Sequence, residues 1–74
     1  MEIVKEKMKT NTLTTREVKT LKLAAQGLDN PQIGKILYIS PYTVKAHMTA
    51  VYKKLDVSNR AEAVYVAMKK HIID

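Results

Sequence analysis

A chain of 74 residues with 13 Lys plus Arg against 7 Asp plus Glu, a net charge of +6, is one small domain whose charge balance favours a polyanionic partner. The absence of Cys excludes a disulfide framework, a thiolate metal site and a cysteine nucleophile, and neither His has the spaced carboxylate or second His that a metal site needs. Four Tyr with no Phe or Trp suggest no deep aromatic cofactor cavity, and no run is apolar enough for a signal peptide or a membrane span, so the expectation is a soluble, cytoplasmic, cofactor-free bundle of small helices.

Residues 1–12 mix five charges with Ile3, Val4 and Met8 and lack a preceding cap, the pattern of a flexible tail or linker remnant; the folded domain is expected over 13–74. Thr14-Thr15-Arg16-Glu17 is a capping box, in which the Thr14 hydroxyl accepts from the Glu17 amide and the Glu17 carboxylate accepts from the Thr14 amide. Leu13 and Val18 hold the staple positions. Leu21, Ala24, Ala25 and Leu28 extend one apolar face and Gly27 suits a left-handed ending, which predicts a first helix over 15–26. Asn30 is the expected cap of a second helix over 31–38, opened by Pro31, with Ile33, Ile36 and Leu37 facing inward. Pro41 disfavours helical geometry at Ser40 and leaves Tyr38-Ile39-Ser40 as a turn.

Ser40 then caps a third helix over 41–55, in which Val44, Met48, Val51 and Leu55 recur at spacings of four, three and four and form a narrow core stripe. Asn59 and Glu62 form a second capping-box pair opening a fourth helix over 60–72, with Val64, Ala67 and Met68 able to pack inward. No stretch alternates as a strand. The predicted fold is all-α, a four-helix domain.

With the core stripe of the third helix turned inward, the opposite arc carries Tyr42, Lys45, Ala46, Thr49 and Lys53, with Ala50 at its edge. No acid lies between Pro41 and Leu55, whereas Lys45, Lys53, Lys54 and His47 do, so the field along this helix is positive. Small Ala46 and Ala50 allow close approach to base edges, Lys45 can donate to guanine O6 or N7, and Ala46 can touch a thymine methyl. The Ser40-capped N-terminus and Thr43 suit a phosphate. A short helix, a turn and a longer basic helix make a helix-turn-helix, whose second helix enters the major groove of double-stranded DNA. Capping accounts for Glu17 and a surface or inter-helix ion pair for Arg16, while His47 is read as packing or a phosphate contact. The fourth helix is apolar around most of its circumference and leaves Tyr65, Val66 and one of Ile72 or Ile73 without burial, which a two-fold contact between copies would supply.

The stretch from Leu13 to about Ile73 resembles the DNA-binding domain of the LuxR/GerE (FixJ/NarL-type) transcription regulators. The landmarks are Leu13-Thr14, Arg16-Glu17, Leu21, Ala25, Gly27, Asn30, Ile33, Leu37, Ile39-Ser40, Thr43-Val44-Lys45, His47, Lys54-Leu55, Val57, Arg60 and Glu62-Ala63-Val64, at uninterrupted spacing. The resemblance implies a LuxR-type four-helix domain, a response-regulator effector, that binds inverted-repeat half-sites as a homodimer, with RNA polymerase as a further partner. It implies base contacts from Lys45, Ala46 and Thr49, backbone contacts from Ser40, Tyr42, Thr43, Lys53 and Lys54, and a dimer interface at Tyr65, Met68 and Ile72. Thr20, Gly34 and His71 depart from the family pattern, which has Val or Ile, Ala and Gly there. A protein-interaction module on the same fold is the alternative of another class. A membrane-surface peptide is disfavoured because the third helix lacks bulky apolar residues on a wide opposite face, and no enzymatic activity is expected.

Overall fold

Every helix among the described residues starts at a short polar side chain that accepts the amide of the third helical residue. The computed structural model describes residues 12–74, so the tail expected over 1–12 lies, apart from Thr12, outside the described residues. Four helices follow in order, α1 (Thr15–Ala25), α2 (Asn30–Leu37), α3 (Pro41–Leu55) and α4 (Arg60–Lys69), with no strand among the described residues. Thr14, Asp29, Ser40 and Asn59 cap them in turn, each satisfying an amide that the helix itself cannot. The Thr14–Glu17 box closes in both directions, at 3.1 and 2.9 Å.

Two starts differ from expectation. Asp29, not Asn30, caps α2: its carboxylate accepts from the Gln32 amide at 2.9 Å while the Gln32 side chain accepts from the Asp29 amide at 2.9 Å. Asn30 becomes the first helical residue, and its side chain is released for a contact elsewhere. At α4 the Asn59 cap forms, but Glu62 accepts from the Ser58 amide, one residue before the cap, so the second box is displaced rather than closed.

The four helix ends share one device. A left-handed residue, Gly27, Tyr38, Asp56 or His71, is followed by an apolar one, Leu28, Ile39, Val57 or Ile72. The amide of each apolar residue donates to the carbonyl five residues back, and its side chain packs on the core. Only Gly27 adopts this backbone without steric cost. The α4 ending comes at Lys69, three residues before the predicted Ile72, because this turn reverses the chain and buries Ile73.

Leu21, Ala24, Ile33, Val44, Met48, Val51, Leu55, Ala63, Ala67 and Ile73 form the core. All four members of the predicted α3 stripe are in it. Ala25 and Met68 are exposed instead of inward, each lying one residue, about 100° of helical rotation, past a buried alanine. Ile36 is half exposed, since α2 turns Ile33 and Gly34 to the core. A Cβ on Gly34 would sit 2.5 Å from the Ile39 carbonyl oxygen, so the close α2–α3 turn favours Gly despite up to ~1 kcal/mol of lost helix propensity. Buried Thr20 satisfies its hydroxyl by donating to the Arg16 carbonyl at 2.8 Å.

Side chains tie the elements together. Glu17 Oε1 accepts from the Thr14 amide and, at 2.8 Å, from Lys54 Nζ, joining the start of α1 to the end of α3. Arg16 makes no ion pair among the described residues; its guanidinium donates to the Leu37 carbonyl at 3.4 Å, closing the end of α2. Burial by itself raises the Glu17 carboxyl pKa, but the Lys54 hydrogen bond, the Thr14 amide and the Lys54 charge outweigh it and hold the carboxyl below its ordinary value.

A carboxyl depressed in the folded state contributes stability above its unfolded pKa and loses it as pH falls through the folded one. Stability should therefore drop on acidification below the ordinary carboxylate value of 4.5. Glu17→Gln should cost ~1–3 kcal/mol at neutral pH, because Lys54 loses its charged acceptor, and should flatten the acid limb of the stability curve. Urea unfolding between pH 3 and pH 7 checks both; identical acid limbs in the two proteins would remove Glu17 as the source.

Candidate nucleic-acid interface

The start of α3 is built by three residues. Pro41 has no amide hydrogen, Ser40 Oγ accepts from the Thr43 amide at 3.1 Å, and the Ser40 and Thr43 hydroxyls lie 3.0 Å apart. Val44 donates to the Ser40 carbonyl. The amide of Tyr42 is then the only one of the first turn with no acceptor among the described residues. The helix end thus presents one amide and two hydroxyls, fewer free donors than a bare N-terminus would.

Burial of Val44, Met48, Val51 and Leu55 fixes the rotation of α3, and the outer arc follows from it. Lys45, Ala46, Thr49 and Lys53 are exposed, and Tyr42 is 81% exposed. Tyr42, Lys45, Ala46 and Thr49 line one shallow depression, so the structure brings together the whole set predicted to face bases. Such a surface offers an ammonium, a phenol, a hydroxyl and a methyl side by side. His47 and Ala50 are half-buried at its edges.

Lys54 is not part of this face. Its ammonium is turned to Glu17, because α3 ends against the start of α1, and the cationic groups left on the outer arc are Lys45 and Lys53. Tyr38, expected in the turn before Ser40, is 93% exposed and takes the left-handed conformation. The signal for it was the forced stop before Pro41, which requires some residue to take that conformation.

On α4, Tyr65 is 62% exposed and Met68 lies beside it one turn on, while Lys69 Nζ sits 5.8 Å from the Tyr65 ring centroid. Ile72 falls beyond the helix end and is half-buried against the core, so the exposed apolar pair is Tyr65 and Met68. Among the described residues no three His, Asp or Glu gather as a metal site, and no helix is long and apolar enough to cross a membrane.

Residues 11–67 match the family described as bacterial regulatory proteins, luxR family. The transcriptional regulatory protein LiaR of Bacillus subtilis (strain 168) is 44% identical over 62 residues, which is 84% of this chain and 29% of LiaR. The transcriptional regulatory protein YdfI of the same organism is 40% identical over 72 residues, 97% of this chain and 34% of YdfI. Among solved structures, the response regulator ChrA of a heme-sensing two-component system aligns with a TM-score of 0.81 at 40% identity, over 84% of this chain and 31% of that one. This chain therefore spans about a third of the length of these relatives.

Proposed function

This chain belongs to the luxR family of bacterial regulatory proteins and is a DNA-binding helix-turn-helix domain of that family; on that premise we propose that it reads operator DNA as a homodimer, with α3 in the major groove. The observation that carries this reading is the single depression lined by Tyr42, Lys45, Ala46 and Thr49 on an exposed helix face without acids. In the groove, Lys45 donates to guanine O6 or N7, the Ala46 methyl meets a thymine methyl, and the Thr49 hydroxyl pairs with a base edge. Ser40, Thr43, the Tyr42 amide and phenol, and Lys53 engage the phosphates on either side and set the register. Lys54, already held by Glu17, is left out of that set.

The exposed Tyr65–Met68 pair supports a two-fold contact through α4, with Ile72 at its margin. Such a dimer presents two α3 helices about one DNA turn apart, which calls for an inverted repeat of half-sites. Acting in the cytoplasm, the bound dimer recruits or blocks RNA polymerase.

Selection of bound duplexes from a random pool should return an inverted repeat; recovery of no common sequence would overturn the specific reading. Lys45→Ala should cost ~1–3 kcal/mol on the selected site and relax the preference at one base position. Lys53→Ala should weaken all sequences alike and reduce the slope of log affinity against log salt by about one, as read from anisotropy titrations. Tyr65→Glu should leave a folded monomer with weakened affinity for the repeat, and an unchanged sedimentation mass would exclude Tyr65 from the dimer contact.

A further inference from the structure

Helices α2 and α4 each pack on α1 and α3 but not on each other. One side chain joins them. Arg60, the half-buried first residue of α4, donates through Nη1 to the Leu28 carbonyl at 2.7 Å and through Nη2 to Asn30 Oδ1 at 2.7 Å. Asn30 is the first residue of α2, and its side chain is free to accept because Asp29 caps that helix. The guanidinium is a rigid planar fork, so two bonds from it fix direction as well as distance.

The direct contact between α3 and α4 lacks that directional control. On the α4 side its buried residues are Ala63 and Ala67, side chains too small to interlock with ridges on a facing helix. They set how closely α4 approaches, with Val64 and Val66 packed partly buried beside them. Around the other side, α2 is locked to α3 by Ile33 and by the close turn at Gly34. Arg60 therefore adds a directional tie between α2 and α4, whose other connections run through α1 and α3.

We propose that Arg60 is a positioning residue which sets the angle of the α2–α3 reading head against the dimer helix, and through that angle the half-site spacing the homodimer accepts. The proposal rests on the dimeric reading above. Two heads about 34 Å apart each sit about 17 Å from the two-fold axis, so a tilt of about 10° on a lever of that length moves each head by about 3 Å, and because the two-fold axis moves both, their separation changes by up to about 6 Å, roughly two base pairs. A brace at the start of α4 therefore acts on spacing and leaves the chemistry of α3 alone.

The test uses the best inverted repeat selected by the wild-type chain, a series with its spacer changed by one and two base pairs, and a single half-site, all followed by fluorescence anisotropy. Arg60→Ala and Arg60→Lys should bind the single half-site within about twofold of wild type and self-associate as before. The wild-type preference for the best spacer, on the order of tenfold, should fall below about threefold in both. A folded Arg60→Ala that keeps the spacing preference overturns the proposal. So does uniform weakening on half-site and repeat with a reduced salt slope, which would make Arg60 a phosphate contact. If Arg60→Ala does not fold by circular dichroism, Asn30→Ala, which removes one of the two acceptors, decides by the same spacing ratio. A wild-type chain that binds every spacer and the lone half-site equally overturns the dimeric reading itself.

Discussion

One carboxylate oxygen, Glu17 Oε1, holds both the first turn of α1 and the last turn of α3. A carboxylate almost withdrawn from water is costly unless it is paired and hydrogen-bonded, and here an amide and an ammonium supply both requirements. The consequence is geometric more than energetic. With Lys54 anchored on α1, the C-terminal end of α3 has a fixed rotation, and the four core residues of its stripe fix the remainder. The outward placement of Lys45, Ala46 and Thr49 depends on that phase.

Rigidity at this size comes from the loops. Three short connections and the ending after α4 share one form, with a left-handed residue and an apolar side chain returned to the core. Each such ending satisfies carbonyls that the helix leaves open and adds apolar burial just where a loop would otherwise be loose. Tyr38, Asp56 and His71 accept a backbone that glycine takes more readily, and the tertiary contacts that follow them hold them there. A recognition surface is only as accurate as the elements that carry it, and here α3 is bounded on both sides by such endings.

The basic charge of the chain divides by role. Lys54 is consumed by structure and Arg60 by bracing, while Lys45 and Lys53 remain on the outer arc of α3. Counting cations on a helix therefore overstates its electrostatic footprint, and the pairing of each one decides what it can contribute.

The number and order of the helices, the core stripe of α3 and its outward set were legible from residue spacing, because periodicity and capping chemistry act within a few residues. Pro41 and Ser40 determined the start of α3 by themselves. The choice of Asp29 over Asn30 as a cap was written in Gln32, three residues after Asp29 at capping-box spacing, and was missed because Pro31 was placed at the first helical position. Not legible were the outward turns of Ala25, Ile36 and Met68, where one residue of phase decides burial and the neighbouring helix sets the phase. The partners of Lys54, Arg16 and Arg60 lie 37, 21 and 32 or 30 residues away along the chain. Local sequence determined what each helix is and which face it can offer; the packing of distant segments decided which charges stay free on that face, because a long cationic side chain takes whatever acceptor the fold brings within reach.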